Sequence, residues 1–155
     1  MAAMATWAEF ESEQPDLAAS VRRRFDVRKH KTMATVRTDG SPRISGIEVE
    51  FAEGEVYVGM MPDSAKLRDL RRDPRLALHS PTEDPPEGAP ERWAGESKIA
   101  GRAVRVDFPN SPVPGAGRFA IDISEVVLTH LNDVGDKLVI ESWRPQGGFR
   151  KVERT

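Results

Sequence analysis

The sequence contains no cysteine, which removes disulfides, thiolate metal sites and cysteine nucleophiles together. No apolar run approaches the ~20 residues that a membrane span requires, and the first residues lack a basic segment followed by an apolar one. A protein with no membrane association and a cytoplasmic address is therefore expected. Aromatic residues make up only 6%, with a single tyrosine, and the formal net charge is −2. That combination offers neither stacking surfaces nor a bulk field for nucleic acid, so no nucleic-acid partner is expected. The three histidines, His30, His79 and His130, show neither i, i+2 nor i, i+4 spacing, so no metal site is predicted. No serine nucleophile elbow is present.

What remains is a chain of 155 residues with 38% hydrophobic and 31% charged residues, the balance of a globular protein rather than a disordered one. This length suits one core, so residues 1–155 read as a single domain, with 1–9 and 146–155 as flexible flanks. Residues 5–28 carry Trp7, Phe10, Leu17, Val21 and Phe25 at near-helical spacing, and Pro15 divides them into two short helices. The period then changes to two. Lys31–Thr38, Arg43–Phe51 and Glu55–Met61 alternate apolar and polar residues and are separated by Asp39-Gly40 and Glu53-Gly54 turns, which predicts an antiparallel meander.

Pro62-Asp63-Ser64 breaks the third strand, and Ala65–Arg72 reads as a helix ended by Asp73-Pro74. Further strands are predicted at Arg75–His79, Glu96–Phe108, Phe119–Leu131 and Lys137–Trp143, with a bulge or bend at Gly101. Two proline-rich segments, Pro81–Arg92 with four prolines and Phe108–Gly117 with three, cannot lie inside a sheet. They are either plain surface loops or a lid beside a cleft. The arginine clusters Arg22–Arg24 and Arg68–Arg75 read as solvated helix faces or contacts with a second subunit. Asp122 and Glu125 read as the outward face of a strand rather than a catalytic pair.

One stretch carries chemical content. Ser64 is placed to cap the helix that begins at Ala65, where unpaired amides and the helix dipole favour negative charge. Lys66 nevertheless stands in the first turn, where a cation is unfavourable. Two explanations fit: a bound phosphate, surrounded by the Ser64 hydroxyl, backbone amides and the Lys66 ammonium, or a surface lysine paired with Asp63 or Asp69.

The run from Met33 to Leu78 resembles the pyridoxamine 5′-phosphate oxidase-like family, including its deazaflavin (F-420)-dependent branch. The shared features are an Ala-Thr strand, an Asp-Gly-x-Pro turn, a second strand, and Ser-x-Lys-x-x-Asp-Leu-Arg-x-Asp-Pro-Arg from Ser64 onward. The resemblance implies a mainly β protein with small α content: a six- to seven-stranded antiparallel split β-barrel of the FMN-binding type, with an N-terminal helix and a short helix after the third strand. It implies a homodimer holding FMN or F-420 at the subunit interface, and an oxidoreductase acting on a small-molecule substrate. Ser64 and Lys66 would hold the cofactor phosphate. Arg43, Ser45, Ile47, Met60 and Met61 would border the ring system and ribityl chain. Trp143 and Arg150 would close the pocket from the partner chain. His79 is either a polar strand-end residue, a hydrogen-bonding partner of the ring, or an axial ligand as in a haem-binding relative. Trp143 is also expected to serve as an aromatic anchor. The chain lacks the family's C-terminal arginine-histidine substrate signature, and it has only Phe108–Gly117 where many relatives place a sizeable helix. An arginine near Ser64 that some deazaflavin binders carry is also missing. The alternative to an enzyme is a flavin- or haem-storage protein of the same fold.

Overall fold

The computed structural model describes residues 3–155. Helix α1 (Trp7–Glu13) starts at a capping box in which Thr6 accepts from the Glu9 amide and the Glu9 carboxylate accepts from the Thr6 amide, satisfying two otherwise orphaned donors. Pro15 opens helix α2 (Pro15–Asp26) at its first position, where the missing N–H is no loss. The break predicted at this proline is the junction between the two helices. Helix α3 (Ala65–Arg72) is capped by Ser64, whose hydroxyl accepts from the Leu67 amide.

Eight strands follow the order β3-β2-β1-β4-β5-β6-β7-β8. They are β1 (His30–Val36), β2 (Pro42–Ala52), β3 (Glu55–Met60), β4 (Arg75–His79), β5 (Glu96–Arg105), β6 (Gly117–Leu131), β7 (Leu138–Arg144) and β8 (Gly148–Arg154). A second pairing of β3 with β6, Tyr57 opposite Ala120 through Met60 opposite Gly117, closes the first six into an antiparallel barrel. Strands β7 and β8 extend the sheet beyond β6. The bulge expected at Gly101 is present as a register shift between Ala100 and Gly101. A β-carbon there would lie 2.0 Å from the Asp122 carbonyl oxygen, so only glycine permits that approach.

Half of the scarce aromatics converge on one place. Trp7 meets Phe51 edge-on at 4.8 Å, Phe25 meets Phe51 at 5.8 Å, and Phe10 lies 5.0 Å from Trp143. These rings join α1 and α2 to the barrel and continue into the core built from Met33, Val56, Val58, Ile99, Ile121 and Ile123. Each aromatic side chain buries a large area at this joint, so a few suffice to dock both helices.

Three expectations are corrected. The flank 146–155 is ordered as β8, paired with β7 from Leu138 opposite Arg154 to Arg144 opposite Gly148, because the turn at Gln146 and Gly148, both at positive φ, returns the chain antiparallel. The other flank is tied down from Ala5, which pairs with Ile123, and through Trp7, which is buried; residues 1 and 2 lie outside the described residues. Trp143, expected to reach the pocket of a partner chain, is a core residue of its own chain. It is buried against Phe10, and its indole N–H donates to the Glu13 carboxylate at 2.9 Å.

The arginine clusters are largely neutralised within the chain: Arg22 pairs with Asp26, Arg24 with Glu83, Arg72 with Asp69 and Arg75 with Asp73. No helix among the described residues is long and apolar enough to cross a membrane.

Candidate functional site

Strand alternation decides what faces the site. On β2, Arg43, Ser45 and Ile47 turn to one side, while Ile44, Gly46 and Glu48 turn to the outer face, as the period of two requires. On β3, Tyr57 and Gly59 share that outer face, and Arg118 of β6 stands directly opposite Gly59. A cleft of about 770 Å³ lies over these residues, well inside the size range of small-molecule and cofactor sites. Gly46 and Gly59 leave much of its floor without side chains: an added β-carbon at Gly46 would meet nothing within 4 Å. Bare backbone of this kind accepts a flat ring system.

One wall is the segment after β5, through Phe108, Pro112, Val113 and Ala116. Of the two proline-rich segments, this one borders the cleft. The other, Pro81–Arg92, lies elsewhere on the surface; Glu83 within it receives Arg24 at 3.2 Å and the Trp93 indole donates to its carbonyl at 3.0 Å.

Lys66 reaches the cleft from the first turn of α3. Its ammonium donates to the Gly46 carbonyl oxygen at 2.9 Å and makes no ion pair among the described residues. Neither alternative partner pairs with it: Asp69 takes Arg43 and Arg72, and Arg68, not Lys66, is the side chain that reaches Asp63, at its backbone carbonyl. The Ser64 hydroxyl accepts from the Leu67 amide at 3.3 Å, which leaves its own proton free to be donated. The first amides of α3 have no intrahelical partner. An uncompensated cation, a free hydroxyl proton and free amides therefore stand together at one edge of the cleft.

Other charges in the cleft are paired. Glu48 lies 3.4 Å from Lys29 and 3.7 Å from His30. Arg118 lies 3.3 Å from Glu50 and sits over the Tyr57 ring, its guanidinium carbon 3.8 Å from the centroid.

Ile47, Met60, Met61 and Lys66 thus line one cleft, with Ser64 at the adjoining helix start. Arg43 and Ser45 are not among its lining residues. The Arg43 side chain is turned to Asp69, donating from Nε at 2.7 Å. His79 lines a different, apolar groove of about 440 Å³ on the same outer sheet surface, with Thr32, Ala34, Ile44 and Ala77. Its Nδ1 lies 2.6 Å from the Ser80 carbonyl and its Nε2 3.4 Å from Glu96. Trp143 belongs to the core, and Arg150 lies on the outer strand β8. Gly46, Gly59, Tyr57 and Arg118 were not anticipated. The first two could have been found by extending the alternation of β2 and β3. Arg118 depends on the β3–β6 closure, which no local pattern signals.

No protein-family model matches the chain, and no curated protein is detectably similar in sequence. Solved structures do match. A pyridoxamine 5′-phosphate oxidase-related, FMN-binding protein of Nostoc punctiforme is 12% identical, with a TM-score of 0.64 over 92% of this chain and 96% of that one. PhzG of Burkholderia lata, solved with tetrahydrophenazine-1-carboxylic acid, is 11% identical, with a TM-score of 0.65 over 95% and 92%. A heme binding protein of Mycobacterium smegmatis is 12% identical, with a TM-score of 0.56 over 87% of each chain. The fold is therefore the split barrel of pyridoxamine 5′-phosphate oxidase-like proteins: a closed six-stranded antiparallel barrel with two further strands and three helices. That fold accommodates both flavin-binding and heme-binding proteins.

Proposed function

We propose that this chain is a flavin-type oxidoreductase that holds FMN or the deazaflavin F-420 in the cleft over β2, β3 and β6. One observation carries the reading: Lys66, an unpaired cation at the capped start of α3, adjoins a cleft floored by the bare backbone of Gly46 and Gly59. The residues fit such a group. The Ser64 hydroxyl, the first amides of α3 and Lys66 take the phosphate. Met61 supplies apolar contact, Ile47 and Met60 border the cleft through their backbone with their side chains in the core, and the Phe108–Ala116 wall excludes water from the ring. When bound, the cofactor supplies hydride transfer to a small unsaturated organic substrate, while the chain contributes orientation and desolvation. Titration of the purified protein with FMN and with F-420, followed by cofactor fluorescence, is expected to saturate with at least one of them. Two flat titrations would sink the proposal.

A homodimer belongs to the same reading. The groove beside the cleft exposes Ala34, Ile44, Ala77 and Ala100, and Ile44 is 74% exposed. This flat, small-residue surface is continuous with the cleft through β2, so a second copy that covers it also covers the cofactor. Light scattering is expected to give twice the chain mass of 17.2 kDa, and Ile44→Arg is expected to give the single-chain mass. Glu125 in the same groove is already paired with Arg144, so a charge buried at position 44 would compete for a partner already taken. An unchanged dimer in that variant would place the interface elsewhere.

A second reading, a non-catalytic flavin- or haem-storage protein, draws on His79 in the apolar groove. A haem iron there requires His79 Nε2 to leave Glu96. The absorption spectrum of the protein as isolated separates the two, since haem and flavin absorb at different wavelengths.

A further inference from the structure

We propose that Arg118 is a carboxylate anchor that sets substrate specificity, so that the substrate is a planar, conjugated organic acid. The proposal rests on the reading of the cleft as a cofactor site and adds a second, anionic subsite at its opposite margin.

Lys66 meets the floor at Gly46 on β2, whereas Arg118 rises from β6, beyond β3. Two strand spacings, about 10 Å, separate β2 from β6, and Gly46 lies a further two residues along β2 from the Glu48–Gly59–Arg118 row, so the cations stand more than that distance apart. A phosphate held at Lys66 therefore leaves Arg118 beyond the glycine floor, where a second molecule lying against the ring would present its own charge.

The surroundings of Arg118 are those of a recognition group. Its guanidinium carbon is 3.8 Å from the Tyr57 ring centroid and 5.4 Å from that of Phe108, and its side chain is 24% exposed. The two rings limit its rotamers and remove water, which leaves the planar fork oriented before any ligand arrives. Only one of its side-chain hydrogen bonds is used, from Nη2 to Glu50 at 3.3 Å. Glu50 is 63% exposed, and a single contact to so exposed a carboxylate is weak. Nη2 carries two hydrogens and Glu50 takes only one, so a ligand carboxylate entering the drier cleft can take the other together with a neighbouring N–H in the bidentate geometry that arginine favours. Pro112 and Val113 on the facing wall suit an apolar, flat body attached to that carboxylate. The site thus selects charge at one end and flatness at the other.

The test uses two probes of equal shape, naphthoate and naphthamide, titrated into FMN-loaded protein and into the protein as purified. Wild type is expected to prefer the carboxylate by about tenfold or more, the worth of one charge-assisted pair. Arg118→Met is expected to bring that ratio to about one. Arg118→Lys, which keeps the charge and loses the fork, should give an intermediate value. Glu50→Gln, an exposed change that does not disturb packing, should raise the ratio by removing the competing carboxylate. A wild-type ratio near one, or a ratio that Arg118→Met and Glu50→Gln both leave unmoved, overturns the anchor. Flavin binding with a ratio near one overturns the anchor alone; flat flavin titrations with the preference intact overturn the cofactor reading alone.

Discussion

Lys66→Ala is expected to weaken FMN binding by roughly ten- to a hundredfold while leaving riboflavin, which lacks the phosphate, nearly unaffected. The magnitude follows from the loss of one charge-assisted hydrogen bond, about 1.5–3 kcal/mol. It should fall toward the lower end at physiological ionic strength, because the ammonium is exposed and the Debye length is only about 8 Å. In the free protein the ammonium bonds only to the Gly46 carbonyl, so its removal leaves no buried charge behind and stability should hardly change. Ser64→Ala provides the contrast. It removes a helix cap as well as a phosphate donor, so it should lower stability by about 1 kcal/mol as well as weakening FMN. Calorimetric titration of both ligands against both variants reads these effects. Equal losses for FMN and riboflavin in Lys66→Ala would move the phosphate away from α3.

Lys66 was legible in the sequence because it breaks a local rule. A cation in the first turn of a helix is unfavourable, and the disagreement between residue and position could be seen without coordinates. The helices and the first seven strands were legible for the opposite reason, since each follows its own period and is punctuated by proline, glycine or aspartate. The boundaries of α3 and β4 coincide with those predicted, because Ser64 and Asp73-Pro74 leave little freedom at either end. What stayed hidden depends on contacts distant in sequence. Arg118 reaches the cleft only through the closure of β3 onto β6, and Trp143 enters the core only because α1 folds back across β7. Arg43 shows the limit of carrying a role over by resemblance. Its position on β2 fitted a cofactor contact, yet its period placed it with Ser45 and Ile47, away from the glycine face, and a buried carboxylate claims its Nε. Strand β8 was missed because Phe149–Arg154 sets only Phe149 and Val152 among charges, without alternation, the mark of an outer strand whose faces are mostly wet.

That buried carboxylate supports the last prediction. Asp69, on α3, is 3% exposed and receives three donors: Thr35 Oγ1 at 2.7 Å, Arg43 Nε at 2.7 Å and Arg72 Nη2 at 3.3 Å. Arg72 donates as well to the Val36 carbonyl oxygen, while the Asp69 carboxylate, through Thr35 and Arg43, ties α3 to β1 and β2 and thereby holds Ser64 and Lys66 against Gly46. Asp69→Asn keeps the shape, removes the charge and presents an amide N–H₂ where donors already converge. The expected loss is about 2–3 kcal/mol, below the full figure for a broken buried pair because Arg43 and Arg72 can turn partly to water. For a chain of this size that corresponds to a melting temperature lower by roughly 5–10 °C. The pH dependence has a fixed sign. Burial raises the Asp69 pKa, but the hydrogen bonds from Arg43, Thr35 and Arg72 outweigh it and hold the group below its ordinary value. The folded state therefore releases this proton more readily than the unfolded chain does. The stability it confers is fully present above the unfolded value of about 3.9 and is lost as pH falls through the lower, folded value. Urea unfolding of wild type and Asp69→Asn should accordingly differ most at neutral pH and converge in acid. A gap that is the same at both ends would mean that the carboxylate acts through its shape and not its charge. Because the same cluster holds α3 against β1 and β2, Asp69→Asn should also weaken FMN more than riboflavin, which no loss of general stability alone would do.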